Sequence, residues 1–132
     1  MFRLVSCVLV AALASAGPAV AQSSEKSLSL KGGETAEVGS VYFVINCRSV
    51  LKGDPSVEMM ESPQDVTVTL RKEKVVPRSS NCNRPVPGGT LVVAAPKVVK
   101  ARTEGQLTIR VNYETLDGKR QSTRQFNLML FP

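Results

Sequence analysis

The sequence predicts an all-β protein, an immunoglobulin-like antiparallel β-sandwich of about seven strands, with a small β-barrel as the alternative. Three observations carry that prediction. After residue 21, no stretch of ten residues shows the apolar period of about 3.6 that a helix requires. Two segments near the C-terminus alternate strictly between apolar and polar residues and flank an Asp-Gly pair. Short runs rich in β-branched and aromatic residues recur between turn signals, about seven of them in roughly 110 residues.

The first segment reads as an address. Met1-Phe2-Arg3 carries one positive charge, and Leu4 to Ala14 is apolar except for Ser6. Ala19-Val20-Ala21 then offers small residues where a signal peptidase reads them. This is the three-part layout of a secretory signal peptide, with cleavage near Ala21. The apolar run is shorter than the roughly 20 residues a membrane span needs. Leu4-Val5-Ser6-Cys7 resembles a lipidation box but sits before the apolar region instead of after it. Residues 22–132 are therefore expected to form a single domain, periplasmic or secreted, with no transmembrane span.

Along that domain each element has its own signal. Residues 22–26 are a polar start, and Leu28 and Leu30 alternate with polar neighbours as a first short strand. Gly32-Gly33 is a turn. Val41-Tyr42-Phe43-Val44-Ile45 reads as one continuous, well-covered strand. Gly53-Asp54-Pro55 turns the chain, since Pro fixes φ and Asp bonds locally. Val57 to Glu61 is a short strand ended by Ser62-Pro63. Val66, Val68 and Leu70 alternate with Thr67, Thr69 and Arg71, a half-buried strand. Residues 78–89 hold Ser, Asn, Pro and Gly in quantity and read as a long irregular loop containing Cys82. Thr90 to Ala95 is a strand closed by Pro96, and Val98-Val99 a short extended piece.

The clearest pattern comes last. Leu107, Ile109, Val111 and Tyr113 alternate with Thr108, Arg110, Asn112 and Glu114. Asp117-Gly118 turns the chain, and Phe126, Leu128 and Leu130 alternate with Asn127, Met129 and Phe131. This predicts a hairpin with one face in the core, its outward face including Thr108, Arg110 and Asn112.

The cysteines agree with export. Cys7 leaves with the signal, and Cys47 and Cys82 remain as an even pair in an oxidising compartment, so a disulfide is expected. It would pin the 78–89 loop to the end of the 41–45 segment. With both thiols consumed, no free catalytic thiol remains.

Composition narrows the chemistry. The absence of His removes Ser/His/Asp and Cys/His catalysis and every His-based metal site, and two thiolates alone do not complete a zinc site. Asp54, Glu58, Glu61 and Asp65 match no calcium loop and read as solvated surface. Gly32-Gly33 and Gly88-Gly89 read as turns, not phosphate loops, because neither leads from a strand into a helix. No enzyme, cofactor or metal is expected.

Charge has structure. The chain carries 17 Lys and Arg against 11 Asp and Glu, a net of +6. Residues 22–70 are net negative, whereas 71–132 hold 12 basic and 4 acidic residues. Arg110, Lys119, Arg120 and Arg124 fall on or near the hairpin and form the candidate anion-binding surface. Nucleic acid is not the expected partner, because export separates the protein from it and few aromatics are available for stacking.

Finally, Asn46-Cys47-Arg48-Ser49 with Gly53-Asp54-Pro55, Asn81-Cys82 with Pro85-Val86-Pro87-Gly88-Gly89, Val111-Asn112-Tyr113 with Asp117-Gly118, and the terminal Leu130-Phe131-Pro132 form a recognisable set. The chain resembles a group of small uncharacterised exported bacterial proteins with an Ig-like β domain and two cysteines. That resemblance implies an exported two-cysteine β domain and carries no activity. The expectation is a non-catalytic, monomeric binding or assembly module of the cell envelope. Its partner would be another envelope protein met through an edge strand, or an anionic envelope component met through the basic half.

Overall fold

The structure, a computed structural model, describes residues 26–132. The signal-peptide reading of residues 1–21 lies outside the described residues, as does most of the polar start.

Two main sheets face each other. One holds β1 (Lys26–Lys31), β9 (Gly118–Phe131), β8 (Thr103–Thr115) and β5 (Ser56–Glu61), in that spatial order. The other holds β2 (Thr35–Val41), β7 (Val86–Ala94) and β6 (Thr67–Val75). A two-stranded ribbon, β3 (Val44–Ile45) and β4 (Arg48–Ser49), stands apart from them. This is an immunoglobulin-like sandwich, and the sheets do not close into a barrel. Every pairing is antiparallel except that of β1 with β9, which run parallel from Lys26↔Phe126 to Lys31↔Phe131.

The alternating hairpin forms the centre. Leu107, Ile109, Val111, Tyr113, Phe126, Leu128 and Leu130 share one core with Leu30, Val41, Val66, Leu91 and Val93. Period-two alternation puts these side chains on one face of each strand, so two sheets can bury them between their inner faces. The turn sits one residue earlier than the Asp-Gly signal suggests. Thr115 pairs with Gly118, so Leu116 and Asp117 are central and Gly118 follows with a φ of 112°. Thr115 Oγ1 donates to Gly118 O at 2.8 Å and accepts from the Asp117 amide at 3.3 Å, which fixes that geometry.

Three expectations are corrected. The run from Val41 to Ile45 is not one strand: β2 ends at Val41, and Val44–Ile45 begins the small ribbon. The cause is a two-residue turn, Asn46–Cys47, with φ of 53° and 61°, which folds Ile45 back against Arg48. Positive φ at both central residues is the hairpin geometry that Asn-Gly usually supplies, and here Cys stands in place of Gly. Second, the 78–89 loop is shorter than expected, because β7 starts at Val86 and includes Pro87 and both glycines. A Cβ on Gly88 would lie 2.1 Å from Val41 O, so the close approach of the end of β2 to β7 requires glycine there. Pro87 is tolerated because β2 reaches only as far as Gly89, leaving β7 without that neighbour beyond it. Third, Thr108 does not face solvent. It is 9% exposed, and its Oγ1 has no hydrogen-bond partner. The Val98-Val99 piece forms no strand.

A bulge in β2 has consequences for the site. The register with β7 shifts between Glu37 and Gly39, leaving Val38 as the extra residue. Ala36, Val38 and Val41 therefore all pack toward the core, which strict alternation would forbid.

Candidate functional site

The strand β9 changes character part-way along. Going backward from its C-terminal end, its inward positions are Leu130, Leu128 and Phe126, then Arg124, Ser122 and Arg120. Lys26, the first described residue, pairs with Phe126, so the described part of β1 covers β9 from Phe126 onward. Among the described residues, the eight residues Gly118–Gln125 of β9 have a neighbour on the β8 side alone. An uncovered strand edge presents free N–H and C=O groups.

Beside that edge the two sheets part and leave a groove of about 850 Å³. One wall is β9 from Gln121 to Phe126, and the other is β2 from Val38 to Ser40. Phe43 and Tyr113 lie at its apolar base, their rings packed edge to face with centroids 5.5 Å apart. Tyr113 Oη and Ser122 Oγ are 3.2 Å apart, within hydrogen-bonding distance.

Arg124 crosses from one wall to the other. Its guanidinium Nη2 donates to Ser40 O at 2.8 Å. Gly39 makes room for it: with φ of 149°, it has no side chain where a Cβ would lie 2.9 Å from Arg124 Nη1. The bulge and this glycine thus shape β2 around an inward-facing arginine. The end wall comes from Tyr42, Val76, Arg78 and Ser79, with Tyr42 Oη hydrogen-bonded to Ser79 Oγ. Residues 78–80 form a 3-10 turn that closes at Asn81, which has a φ of 57°. The Cys47–Cys82 disulfide, with Cα atoms 5.4 Å apart, ties the β3–β4 turn to the segment just after it. The bridge therefore joins the two stretches of chain that make the end wall.

The electrostatics of the groove are one-sided. Lys26, Arg78 and Arg124 line it, and among the described residues none of its lining is Asp or Glu. Some cations elsewhere have acidic neighbours. Lys72 bonds Asp54 at 2.8 Å, and Arg110 lies 3.9 Å from Glu58. On the outer face of the three-stranded sheet, Arg71 bonds both Glu37 and Glu73, and Thr90 also donates to Glu73. These bonds, Arg71's first and Thr90's second, hold the Glu73 carboxyl below its ordinary range.

The sequence-predicted surface is divided. Arg110 and Lys119 lie on the outer parity of the hairpin, with Lys119 directly across from Glu114. Arg120 and Arg124 have the inner parity, and only Arg124 lines the groove. Lys119 and Arg120 are exposed at the hairpin tip. Lys26 and Arg78, far from Arg124 in sequence, were missed. The available clue was Arg124 itself, a cation in the register of Phe126, where a closed sandwich would place an apolar side chain.

Among the described residues, no group of three or more His, Cys, Asp or Glu is placed to hold a metal ion, and no helix is long and apolar enough to cross a membrane. No protein-family model matches the chain, and no curated protein matches it.

Proposed function

We propose that the protein is an exported, non-catalytic binding or assembly module of the bacterial cell envelope. It acts as a monomer in the periplasm or outside the cell, and its partner adds as a strand to the uncovered edge of β9. The observation that carries this reading is the coincidence of that edge with the groove. Strand addition needs free main-chain groups in a row for affinity and a recess beside them for alternate side chains. Among the described residues, β9 supplies the first between Gly118 and Gln125, and the groove supplies the second. Two of the other sheet edges suit this role less well. β6 carries Arg71, Lys72, Glu73 and Lys74 in succession, and β5 has a bulge at Met60.

A photo-crosslinking residue placed at Thr123, on the open edge, tests the reading in a bacterial envelope. A discrete adduct is expected at Thr123 and none at Thr69 on β6. Equal capture at both positions, or none at either, would overturn it.

A second reading, an anion- or ligand-binding protein that uses the basic half, is favoured by the cations Lys26, Arg78 and Arg124, which no carboxylate opposes among the described lining residues. Salt separates the two. Binding to anions through charge alone weakens steeply as ionic strength rises, whereas main-chain pairing does so far less.

A further inference from the structure

Resting on strand addition at β9, we infer that the occupant of the groove is an extended acidic segment of another polypeptide, with carboxylates facing inward. The argument begins with parity. A strand laid along Gln121–Gln125 continues the pleat of the sheet, so alternate side chains enter the groove beside Ser122 and Arg124 while the others face outward with Thr123. The inward side chains meet Arg124 on the β9 wall, Arg78 on the end wall and Lys26 at the mouth, where β1 begins. Among the described residues, no carboxylate of the groove's lining neutralises these three.

Arg124 is partly ready for such a contact. Its bond to Ser40 O uses one N–H of five and holds the planar group across the groove. The remaining donors suit a carboxylate, and Arg is the side chain best matched to that planar partner. A flat anionic surface does not fit this geometry, because Arg124 is half-buried between the sheets. The uncovered edge also gives direction to the argument. A small free anion satisfies the cations but leaves the main-chain groups of Gly118–Gln125 that point away from β8 without a partner among the described residues, whereas an extended acidic chain satisfies both.

The test uses the exported chain after signal removal and three probes at low salt. These are a blocked octapeptide alternating threonine with glutamate, its threonine–lysine counterpart, and glutarate as a small dicarboxylate. The readouts are fluorescence anisotropy for the labelled peptides, their displacement by glutarate, and amide hydrogen exchange across β9. The glutamate peptide should bind at least ten-fold more tightly than the lysine peptide and slow exchange at Gln121–Gln125. Replacing both exposed cations, Lys26→Gln with Arg78→Gln, should weaken it by ten-fold or more, and Arg124 is left in place to keep the walls joined.

Equal binding of the two peptides, with exchange slowed at Gln121–Gln125, would overturn the acidic partner and leave strand addition standing. Glutarate binding as tightly as the peptide, with exchange at β9 unchanged by either, would overturn strand addition itself. Neither peptide binding until residues 22–25 are deleted would show the chain's own N-terminal segment to be the occupant, and would overturn the partner.

Discussion

Removing the Cys47–Cys82 bridge should destabilise the domain by about 4 kcal/mol and loosen the end wall of the groove before the core. The magnitude follows from the separation of 35 residues. In the chain-entropy model, closing a loop of that length removes about 13 cal/mol/K from the unfolded ensemble, or roughly 3.8 kcal/mol at 25 °C. The substitutions should match each site: Cys47→Ser because Cys47 is exposed, and Cys82→Ala because Cys82 is 2% exposed. Without the bridge, the Asn46–Cys47 turn keeps its two positive φ angles with no covalent anchor. Urea unfolding can be followed by the fluorescence of Tyr42 and Tyr113, since the chain has no Trp. With a slope of about 1.5–2 kcal/mol/M, the midpoint should fall by roughly 2–2.5 M. Under native conditions, amide exchange should rise first in residues 42–50 and 76–85 and last in β8. A midpoint shift below about 0.5 M, or exchange rising first in β8, would refute both the magnitude and the role given to the bridge.

Other outcomes follow from the core and from charge. Ile109→Ala or Leu128→Ala, both fully buried, should cost about 2–5 kcal/mol in urea unfolding, and Leu116→Ala, 73% exposed, less than about 0.5 kcal/mol. The reverse order would mean that the hairpin register is wrong. Thr108→Val removes a buried hydroxyl without a partner, so stability should stay level or rise by up to about 1 kcal/mol. A larger loss would reveal a partner for Oγ1. Glu73 has a depressed pKa in the folded state, so its stabilising contribution is complete above the ordinary carboxylate pKa and disappears as pH falls through the depressed value. Glu73→Gln should therefore flatten the acid limb of a thermal-melting profile below about pH 4.3, with the two proteins running parallel above pH 6. Identical acid limbs would refute the interaction with Arg71 and Thr90.

Strands that bury one face announced themselves locally. The alternation through Leu107–Tyr113 and Phe126–Leu130 needs only a pleat and a core, and both strands lie where their pattern put them. The Cys47–Cys82 pair was also legible, because once Cys7 is assigned to the expected signal segment one pairing is left. Where the local signal was weak, the reading slipped. The Asn46–Cys47 turn has no glycine to mark it. The pair Gly88-Gly89 looked like a turn but lies within β7 where backbones approach closely, since the same lack of a side chain serves both purposes. Thr108 had the right parity for solvent and is nonetheless enclosed.

The groove belongs almost wholly to tertiary structure. Lys26, Arg78 and Arg124 stand far apart in the chain, and no spacing connects them. They meet because β1 runs parallel to β9 with Lys26 beside Phe126, because a bulge and Gly39 open β2 toward Arg124, and because a disulfide holds the end wall. The sequence by itself determined which residues face a core, since that depends on periodicity along one strand. Which cations share a recess depends on where strands from opposite ends of the chain start, stop and part, and only the packed sheets decide that.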